Sequence, residues 1–529
     1  MAEVGGGVAG AASGPYALFD ALGVERPYVI DAGAGRGEVI TQILRAGALP
    51  AERFRTILIK GRPLPRPGTP RVAAFEYWRF GIGGADRTVQ LLMGVFIRMG
   101  MRVILYTETP PQADDLELPV GVTRKVVPEG REERVAFWLD EVEKEGIDVV
   151  VYNTWIWQHA PIDCLAMQVV GATVIYHTHG STSYFINADN GAELLDRICK
   201  MAYRADCSVA LSEADCTFLS AFSGCVRQVV NPVIEYLRDV RARVEPPEGR
   251  TVVFCGRLDP HEKRPEVALR VFARVHEVLS DARLLVVGGG APEVERSLRD
   301  QARRDGIGNA VSFLGYRRHP LPYLMQANAL LMTSPSEGFP LVLAEAMCVG
   351  LPAVLFALPQ VALLNNAGGG AVQVPQGDVE AAADSLVALL SDRDVQRRLS
   401  RAARVAFEST CDVDLDGLWA SVLEDARSSH LGAPRTFPAP AAGGPSAFVS
   451  CVVNAYRDQD RRVRQLENEL SGVTDELSAQ RDELGRVRAE AEGLRHDLSC
   501  VKGSASFRIG RTITRLPRYL RDLLRRSRA

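Results

Sequence analysis

Residues 329–356 carry the pattern that decides the fold, ALLMTSPSEGFPLVLAEAMCVGLPAVLF. Two apolar runs flank a helical stretch, with Pro340 suited to the first turn of the helix and Gly350 suited to its end. Comparable apolar runs occur elsewhere, as TVVFCGRL and RLLVVGGG upstream and as RVAAFEYW and ATVIYHTHG in the first half of the chain. Apolar strands that alternate with helices predict parallel sheets with helices on both faces.

The chain of 529 residues is long enough for several domains. We predict the following organisation: an N-terminal extension with a partial α/β unit (1–70), a first Rossmann-like domain (71–240), a second Rossmann-like domain (241–430), a Pro/Ala/Gly linker (431–450), a coiled coil (455–502) and a basic amphipathic tail (503–529). Two α/β domains in tandem imply a cleft between them, and the cleft is the expected site because ligands bind at the carboxyl ends of parallel strands.

The last 75 residues indicate partners. Apolar residues at a and d positions from Val463 to Val501 predict a coiled coil and a homo-oligomer, with a single solvated helix as the alternative. Eight arginines between Arg508 and Arg528, set against Asp522 alone and interleaved with apolar residues, favour an anionic membrane surface. A solvated basic terminus and an RNA-binding arm are the alternatives for this tail.

The composition narrows the class of protein. A hydrophobic share of 47%, a charged share of 24% and a net charge of -3 describe a globular protein and do not favour nucleic acid as a partner. Ten cysteines without a CxxC pair indicate a reduced, cytoplasmic protein and not a disulfide framework or a zinc site. The start of the chain does not have the pattern of a signal peptide, and no apolar run approaches the roughly 18 residues of a membrane span.

Glu337 and Glu345 are the candidate functional acids of the deciding stretch. Two helical positions eight apart lie roughly 12 Å apart along the axis, beyond the roughly 5 to 9.5 Å between the carboxylates of a glycoside hydrolase. Carboxylates can instead accept hydrogen bonds from vicinal hydroxyls. We therefore expect Glu337, in the loop, to hold a sugar and Glu345, in the helix, to hold a ribose. The helix start near Gly338 and Phe339 would receive a phosphate.

EGFPLVLAE resembles the E-x7-E motif of retaining GT-B glycosyltransferases of family 4, and the resemblance extends from about Arg71 to Arg427. It implies two Rossmann-like domains that face across a cleft. It further implies sugar transfer from a nucleotide-sugar to a hydroxyl with retention of configuration, without a metal or another cofactor. CGRLDPHEKRPEVAL resembles the donor diphosphate grip of that family, which implies that Arg257 and Lys263 stabilise the leaving group. The alternative for two such cations is ordinary solvation.

VIYHTHGST resembles the stretch that places a histidine near the donor sugar. We align His179 with that position and keep His177 as second choice, because alternation points both side chains the same way. The alternatives are a satisfied core histidine and a metal pair. The predicted catalytic residues are thus Glu337, His179, Arg257 and Lys263. The predicted donor-binding residues are Gly83, Gly84, Gly256, Gly315, Tyr316, Gly338, Phe339, Pro340, Leu341 and Glu345.

Two features depart from this interpretation. The family commonly has a Gly-Gly turn and a Glu after the strand that ends at Phe356, whereas this chain has ALPQVALLNNAGGG, which puts donor contacts from that loop in doubt. VIDAGAGRGEVI, residues 29–40, looks like the first motif of a methyltransferase, although too few residues follow it for such a domain.

The tail faintly resembles those of bacterial surface-polysaccharide glycosyltransferases. We therefore expect a peripheral enzyme at the inner face of the cell membrane that extends a lipid-linked or cell-surface glycan. A non-catalytic scaffold with the same fold, assembled through the coiled coil, is the alternative from a different class.

Overall fold

A computed structural model describes residues 27–54, 56–81, 83–154, 156–182, 184, 191–243, 245–358, 361–365, 369–430, 485–490, 492–497 and 499. The chain divides into two compact units, Met1–Asp458 and Gln459–Ala529. No helix among these described residues is both long enough and apolar enough to span a bilayer.

The N-terminal extension forms a small α/β unit. Its elements are β1 (Val29–Asp31), α1 (Arg36–Gly47), α2 (Ala51–Phe54) and β2 (Leu58–Lys60), and the two strands pair in parallel. Within residues 27–70 the structure describes these two strands only, which agrees with a partial unit and leaves the methyltransferase interpretation without the further strands that it needs. The carboxylate of Asp31 is engaged by Lys60 Nζ at 2.8 Å and by the amide of Gly33 at 3.1 Å.

The first large sheet has seven parallel strands. In chain order its elements are β3 (Val72–Tyr77), α3 (Gly84–Arg98), β4 (Arg102–Thr107), β5 (Thr123–Val126), α4 (Arg131–Glu145), β6 (Val149–Tyr152), α5 (Ala160–Val169), β7 (Thr173–His177), α6 (Gly191–Arg204), β8 (Cys207–Ala210), α7 (Glu213–Ser220), β9 (Val226–Gln228) and α8 (Ile234–Leu237). The strand order is β5-β4-β3-β6-β7-β8-β9. Strands β6, β7 and β8 are buried at every residue, because helices cover both faces.

The second large sheet has six parallel strands. Its elements are β10 (Thr251–Cys255), α9 (Pro265–Val278), β11 (Arg283–Val287), α10 (Pro292–Arg304), β12 (Val311–Gly315), α11 (Leu321–Gln326), β13 (Ala329–Met332), α12 (Leu341–Cys348), β14 (Ala353–Phe356), α13 (Ala362–Asn365), β15 (Ala371–Val374), α14 (Val379–Ser391), α15 (Arg393–Cys411) and α16 (Leu415–His430). The strand order is β12-β11-β10-β13-β14-β15. Pro340 caps α12, and Gly350 follows it with a left-handed φ of 72°, as the sequence pattern predicts.

Helix α16, the last described helix of the first compact unit, packs on the first sheet domain. Its Trp419 ring lies 5.3 Å from Phe96 of α3 and 5.6 Å from His177 of β7, centroid to centroid. Arg98 donates to both Glu235, at 3.0 Å, and Asp416, at 2.7 Å. The predicted boundary at residue 430 assigns α16 to the second domain, whereas its packing places it on the first.

The described residues form three buried hydrophobic clusters. One covers the outer face of the first sheet and includes Ile43 of the N-terminal unit, and another covers the outer face of the second sheet. The third cluster contains residues of both sheet domains, among them Phe75, Leu330 and Trp419. Each such fully buried side chain contributes roughly 1.5 to 3 kcal/mol to folding. The two domains of this unit therefore share one core.

The N-terminal unit is fixed to the first sheet domain by close packing. A Cβ on Gly47 would lie 2.4 Å from Cγ2 of Ile162, so α1 approaches α5 closely at this glycine. Arg62 donates to both carboxylate oxygens of Asp206, at 3.0 and 2.8 Å. The N-terminal unit thus enlarges the hydrophobic core of the first sheet domain.

The second compact unit is described in part. Residues 485–490 and 492–497 are helical, and Val487 and Leu494 are 54% and 63% exposed. The linker 431–450, most of the coiled coil 455–502 and the tail 503–529 lie outside the described residues, so oligomerisation and membrane binding stay predictions.

Candidate functional site

Two loops from different sheets meet where strands β7 and β13 end. A Cβ built on Gly338 would lie 3.1 Å from the Cα and the carbonyl carbon of Gly180, and 3.2 Å from Cδ1 of Leu211. A side chain at 338 would therefore force the two backbones apart. The glycine of the EGFP turn is what brings Glu337 beside the loop that carries His179.

Lys263 and Glu337 form an ion pair at this junction. Lys263 Nζ donates to Oε1 of Glu337, and the two side chains are only 26% and 10% exposed. Arg257, by contrast, is 64% exposed at the rim and pairs with Glu262 at 2.8 Å. The structure thus joins two of the four predicted catalytic residues directly and places Arg257 further toward solvent. The catalytic roles stay predictions.

A strained turn holds Lys263 in place. The carbonyl of Asp259 accepts from the amides of Lys263, at 2.9 Å, and Arg264, at 3.0 Å. Arg264 has a left-handed φ of 50°, which a residue with a side chain adopts at a cost. The buried hydroxyl of Thr333, just past β13, lies 2.8 Å from the carbonyl oxygen of Lys263 and 2.9 Å from that of Arg264. These bonds fix the path of the backbone on which Lys263 sits.

Asn153 orients both histidines. Its Nδ2 donates to the carbonyls of Glu76, at 3.2 Å, and Val151, at 2.9 Å, which leaves Oδ1 as the acceptor. That oxygen lies 3.0 Å from Nδ1 of His177 and 2.9 Å from Nε2 of His179. Each of those nitrogens therefore carries the proton, and the remaining nitrogen of each neutral ring is an acceptor.

Burial keeps the two histidines neutral. It lowers the pKa of His179 to about 4, and burial together with the neighbouring His179 lowers the pKa of His177 well below its usual range. Nδ1 of His179 is buried and has no hydrogen-bond partner within the part of the chain that the structure describes. The His179 ring lies 6.1 Å from that of Tyr77, and the His177 ring lies deeper, against Trp419. His179 thus presents an unused lone pair.

Glu345 bridges the two domains. Its Oε1 accepts from the hydroxyl of Tyr236 at 2.8 Å and lies 3.5 Å from Nη1 of Arg87, whose guanidinium stacks 3.9 Å above the Tyr236 ring. Burial raises the pKa of the Glu345 carboxyl despite these partners. Both of these contacts use Oε1, so a ribose hydroxyl would have to bind Oε2 of Glu345. The ribose contact stays a prediction.

The backbone amides of the Gly-Gly turn at the start of α3 are bound by a side chain of the same helix. Asp86 accepts from the amides of Gly81, at 2.9 Å, and Gly83, and burial raises the pKa of its carboxyl. A Cβ on Gly84 would lie 3.4 Å from Cδ1 of Leu341, at the start of α12. An added Cβ at Gly84 would thus meet Leu341 at about van der Waals distance, and the Gly83 amide already has an acceptor. Ligand contacts at these glycines stay predictions.

The other predicted donor residues lie at the carboxyl ends of β10 and β12 and in the turn before α12. Gly256 lies beside the Lys263 side chain, and its carbonyl leaves no room for a Cβ on Gly288, which would come within 1.8 Å of it. Gly315 has a left-handed φ of 71°, and Tyr316 is 45% exposed. Phe339 and Pro340 are buried in the EGFP turn. Gly256, Gly315 and Tyr316 thus lie at strand ends, whereas Phe339 and Pro340 lie in the turn that begins α12, and donor binding by these residues stays a prediction.

Four positioning residues escaped the sequence analysis: Arg87, Asn153, Tyr236 and Thr333. Asn153 and Thr333 had a usable signal, because each is the first polar residue near the end of an apolar strand, in VVVYN and ALLMT. Arg87 and Tyr236 had none, since their role depends on contacts between domains.

The described residues contain no group of three His, Cys, Asp or Glu side chains that could hold a metal ion. The metal-free chemistry implied by the resemblance stays a prediction. Part of the departing loop, residues 359–360 and 366–368, lies outside the described residues.

Comparison with known proteins finds a family match within the second sheet domain. Residues 249–392 match the family model "Glycosyl transferases group 1". The chain is 35% identical over 161 residues to a phosphatidyl-myo-inositol mannosyltransferase of Mycobacterium leprae, which covers 30% of this chain and 42% of that protein. It is 30% identical over 142 residues to the N-acetyl-alpha-D-glucosaminyl L-malate synthase of Bacillus anthracis, covering 27% and 36%. The matches thus span less than half the length of these relatives.

Solved structures resemble the whole two-sheet body. A sucrose-phosphate synthase from Thermosynechococcus elongatus superposes with a TM-score of 0.56 at 18% identity, over 69% of this chain and all of that one. Anabaena HepE, solved with UDP and glucose, gives a TM-score of 0.55 at 16% identity, over 68% of this chain and all of that one. At such identities the likeness establishes the fold. Two Rossmann-like domains of the GT-B type are confirmed.

Proposed function

We propose that this GT-B chain, whose residues 249–392 belong to the glycosyl transferases group 1 family, transfers a sugar from a nucleotide-sugar to a hydroxyl group. The observation that supports it most is the junction of Lys263 and Glu337 with the His179 loop, because it sets a cation, a carboxylate and a neutral acceptor at the carboxyl ends of two sheets. In the proposed reaction the cation would meet the diphosphate, and the carboxylate and the neutral acceptor would meet hydroxyl groups of the sugar.

The donor diphosphate would meet the two cations. Lys263 and Arg257 would stabilise the negative charge that grows on the departing diphosphate. In the free protein Lys263 is held by Glu337, so donor binding would exchange that carboxylate for a phosphate. Glu337 would then be released to accept hydrogen bonds from the hydroxyls of the sugar. Glu345 would take the ribose.

His179 would bind the donor sugar through a hydrogen bond and would not act as the base that removes a proton. With a pKa of about 4 it is a weak base, and its Nδ1, which is buried in the free protein, would accept a hydrogen bond from a sugar hydroxyl once donor binding opens this part of the site. A phosphate oxygen would take the proton of the acceptor as the bond between the sugar C1 and the diphosphate breaks. The new C1–O bond would form on the face that the diphosphate leaves, with retention of configuration, and no metal or cofactor would take part.

The acceptor would be a lipid-linked or growing cell-surface glycan. Relatives named as phosphatidyl-myo-inositol mannosyltransferase support a lipid-linked acceptor. The arginine-rich tail 503–529 would hold the enzyme on the inner face of the cell membrane, and segment 455–502 would join copies of the chain. Flotation with anionic liposomes should be lost when residues 504–529 are deleted, and unchanged flotation would contradict this placement.

A donor screen tests the function. Thermal shift with UDP-, GDP-, ADP- and TDP-sugars should single out one base, because a ligand stabilises the state that binds it. The selected donor should then be turned over, and the anomeric configuration of the product, measured by NMR, should match that of the donor. Binding without transfer or hydrolysis across the panel would favour the non-catalytic scaffold, and an inverted product would contradict retention.

A further inference from the structure

A basic cavity lies behind the second sheet domain, apart from the candidate site. It has a volume of about 220 Å³ and lies between the segment that joins the two sheet domains, the end of α12 and one face of α15. Four arginines line it, Arg243, Arg397, Arg401 and Arg404, and the described residues of the lining include no acidic side chain. We propose that this cavity binds a small phosphate-bearing anion.

The spacing of the arginines creates the charge. Arg397, Arg401 and Arg404 follow one another at i, i+4 and i+7, which puts all three on one face of α15. Like charges on one helix face repel each other, so the arrangement costs stability in the absence of an anion. Arg243 adds a fourth guanidinium from the connecting segment.

Arg243 carries a charge that no acid neutralises. Its Nε and Nη2 donate to the carbonyl of Gly350 at 3.2 and 3.0 Å, and Nη1 donates to the carbonyl of Ala327. These are its partners within the described residues, and none is a carboxylate. Burial lowers its pKa to about 10, so it stays charged at neutral pH. A half-buried cation bound only to carbonyls favours an anion nearby.

The charges of the other lining arginines are only partly neutralised, by acidic residues that do not line the cavity. Arg397 donates to Glu245 at 2.8 Å and Asp394 at 3.0 Å, while Arg404 donates to Glu408 at 2.6 Å. Three acids thus stand against four arginines around the cavity. Guanidinium groups present paired N–H donors that fit phosphate oxygens.

The lining sets the class of ligand. Guanidinium groups from two elements surround a space of about 220 Å³, which admits inorganic phosphate or a small phosphate ester. None of the lining residues belongs to the candidate donor site, so the proposal is independent of the proposed transfer activity.

Binding would affect the connection between the domains. Arg404 Nη1 donates to the carbonyls of Val240, at 3.3 Å, and Cys348, at 2.7 Å, so the same side chain contacts the connecting segment and the end of α12. An anion held by Arg243 and Arg401 together would fix the segment against α15.

The test is phosphate binding to the full-length protein, measured by calorimetry and by thermal shift against chloride at equal ionic strength. Arg401→Ala should weaken inorganic phosphate by about tenfold, because it removes one charge-assisted contact from an exposed position. Arg398→Ala, the exposed neighbour that does not line the cavity, should bind as the wild type does. A small phosphate ester such as glycerol phosphate should compete with inorganic phosphate.

Lys263→Ala separates this cavity from the donor cleft. Phosphate affinity that survives Lys263→Ala and falls with Arg401→Ala supports the proposal. Equal affinity in Arg401→Ala and wild type, loss of binding only in Lys263→Ala, or no stabilisation beyond that by chloride would each overturn it. Failure of the donor screen would leave these outcomes unaffected.

Discussion

The carboxyl ends of the two sheets differ in how they handle charge. At the first sheet burial disfavours the charged forms of four groups: the pKa of His177 and His179 is lowered, and the pKa of Glu76 and Asp86 is raised. At the second sheet Lys263 and Arg257 each form an ion pair with a carboxylate.

This difference indicates a division of chemistry. The two neutral histidines suit hydroxyl groups, which exchange single hydrogen bonds, whereas fixed cations suit a diphosphate that gains charge as it leaves. The ion pair of Lys263 and Glu337 lies on the boundary, and the following variants break or sharpen the contrast.

The largest effect should follow from Lys263→Ala. Removal of a cation aimed at the leaving group should lower transfer by about 1,000-fold and weaken nucleoside diphosphate by about tenfold. Lys144→Ala, which removes another lysine paired with a glutamate on a distant helix, is the matched control and should have no effect. Steady-state kinetics and calorimetry with the diphosphate measure both quantities. An active Lys263→Ala enzyme would remove the contrast.

Glu337→Gln should lower transfer by about 100-fold and change nucleotide affinity by less than about threefold. The amide keeps the shape but accepts hydrogen bonds from sugar hydroxyls more weakly than a carboxylate does. The control is Glu145→Gln, since Glu145 pairs with Arg102 and Lys125 far from the cleft. Full activity in Glu337→Gln would remove its assigned role.

His179 should make folding stability depend on pH. Its pKa is about 4 when folded and about 6.5 when unfolded, so the unfolded chain takes up the proton first. Stability is complete above pH 6.5, falls as the pH drops toward 4, and is lower by about 2 kcal/mol at pH 5 from this group. Urea unfolding at pH 7.5 and pH 5 measures the effect. The free energy of unfolding should fall less between these two pH values in His179→Asn than in the wild type, by about 2 kcal/mol. Equal losses in both proteins would show that His179 is not kept neutral.

Thr333→Val should have the smallest effect. Loss of the hydroxyl leaves the carbonyls of Lys263 and Arg264 with one donor fewer, and we expect a loss of about 1 kcal/mol in stability and about tenfold in transfer. Thr333→Ser keeps the hydroxyl and should restore transfer. If the serine variant is as impaired as the valine variant, Thr333 acts through packing and does not position Lys263.

Much of the fold follows from local pattern. Pro340 and Gly350 delimit α12 because they act through their own backbones, and the buried strands follow from apolar runs that sequence displays directly. The site was predictable only where a motif carries it, as at Glu337. The pairing of Lys263 with Glu337 and the contact of Gly338 with Gly180 depend on how two domains meet, which no local pattern encodes.

The return of α16 to the first sheet also fell outside prediction. Its sequence is that of an ordinary amphipathic helix, and only its partners, Phe96 and His177, identify the domain on which it packs.

That return means that the polypeptide passes between the two sheet domains twice, once before β10 and once between α15 and α16. Arg98 binds Glu235 beside the first passage and Asp416 beside the second, so the two passages lie side by side. Two adjacent covalent connections therefore cross between domains that also share one buried core, so the cleft walls are held together by the backbone as well as by packing.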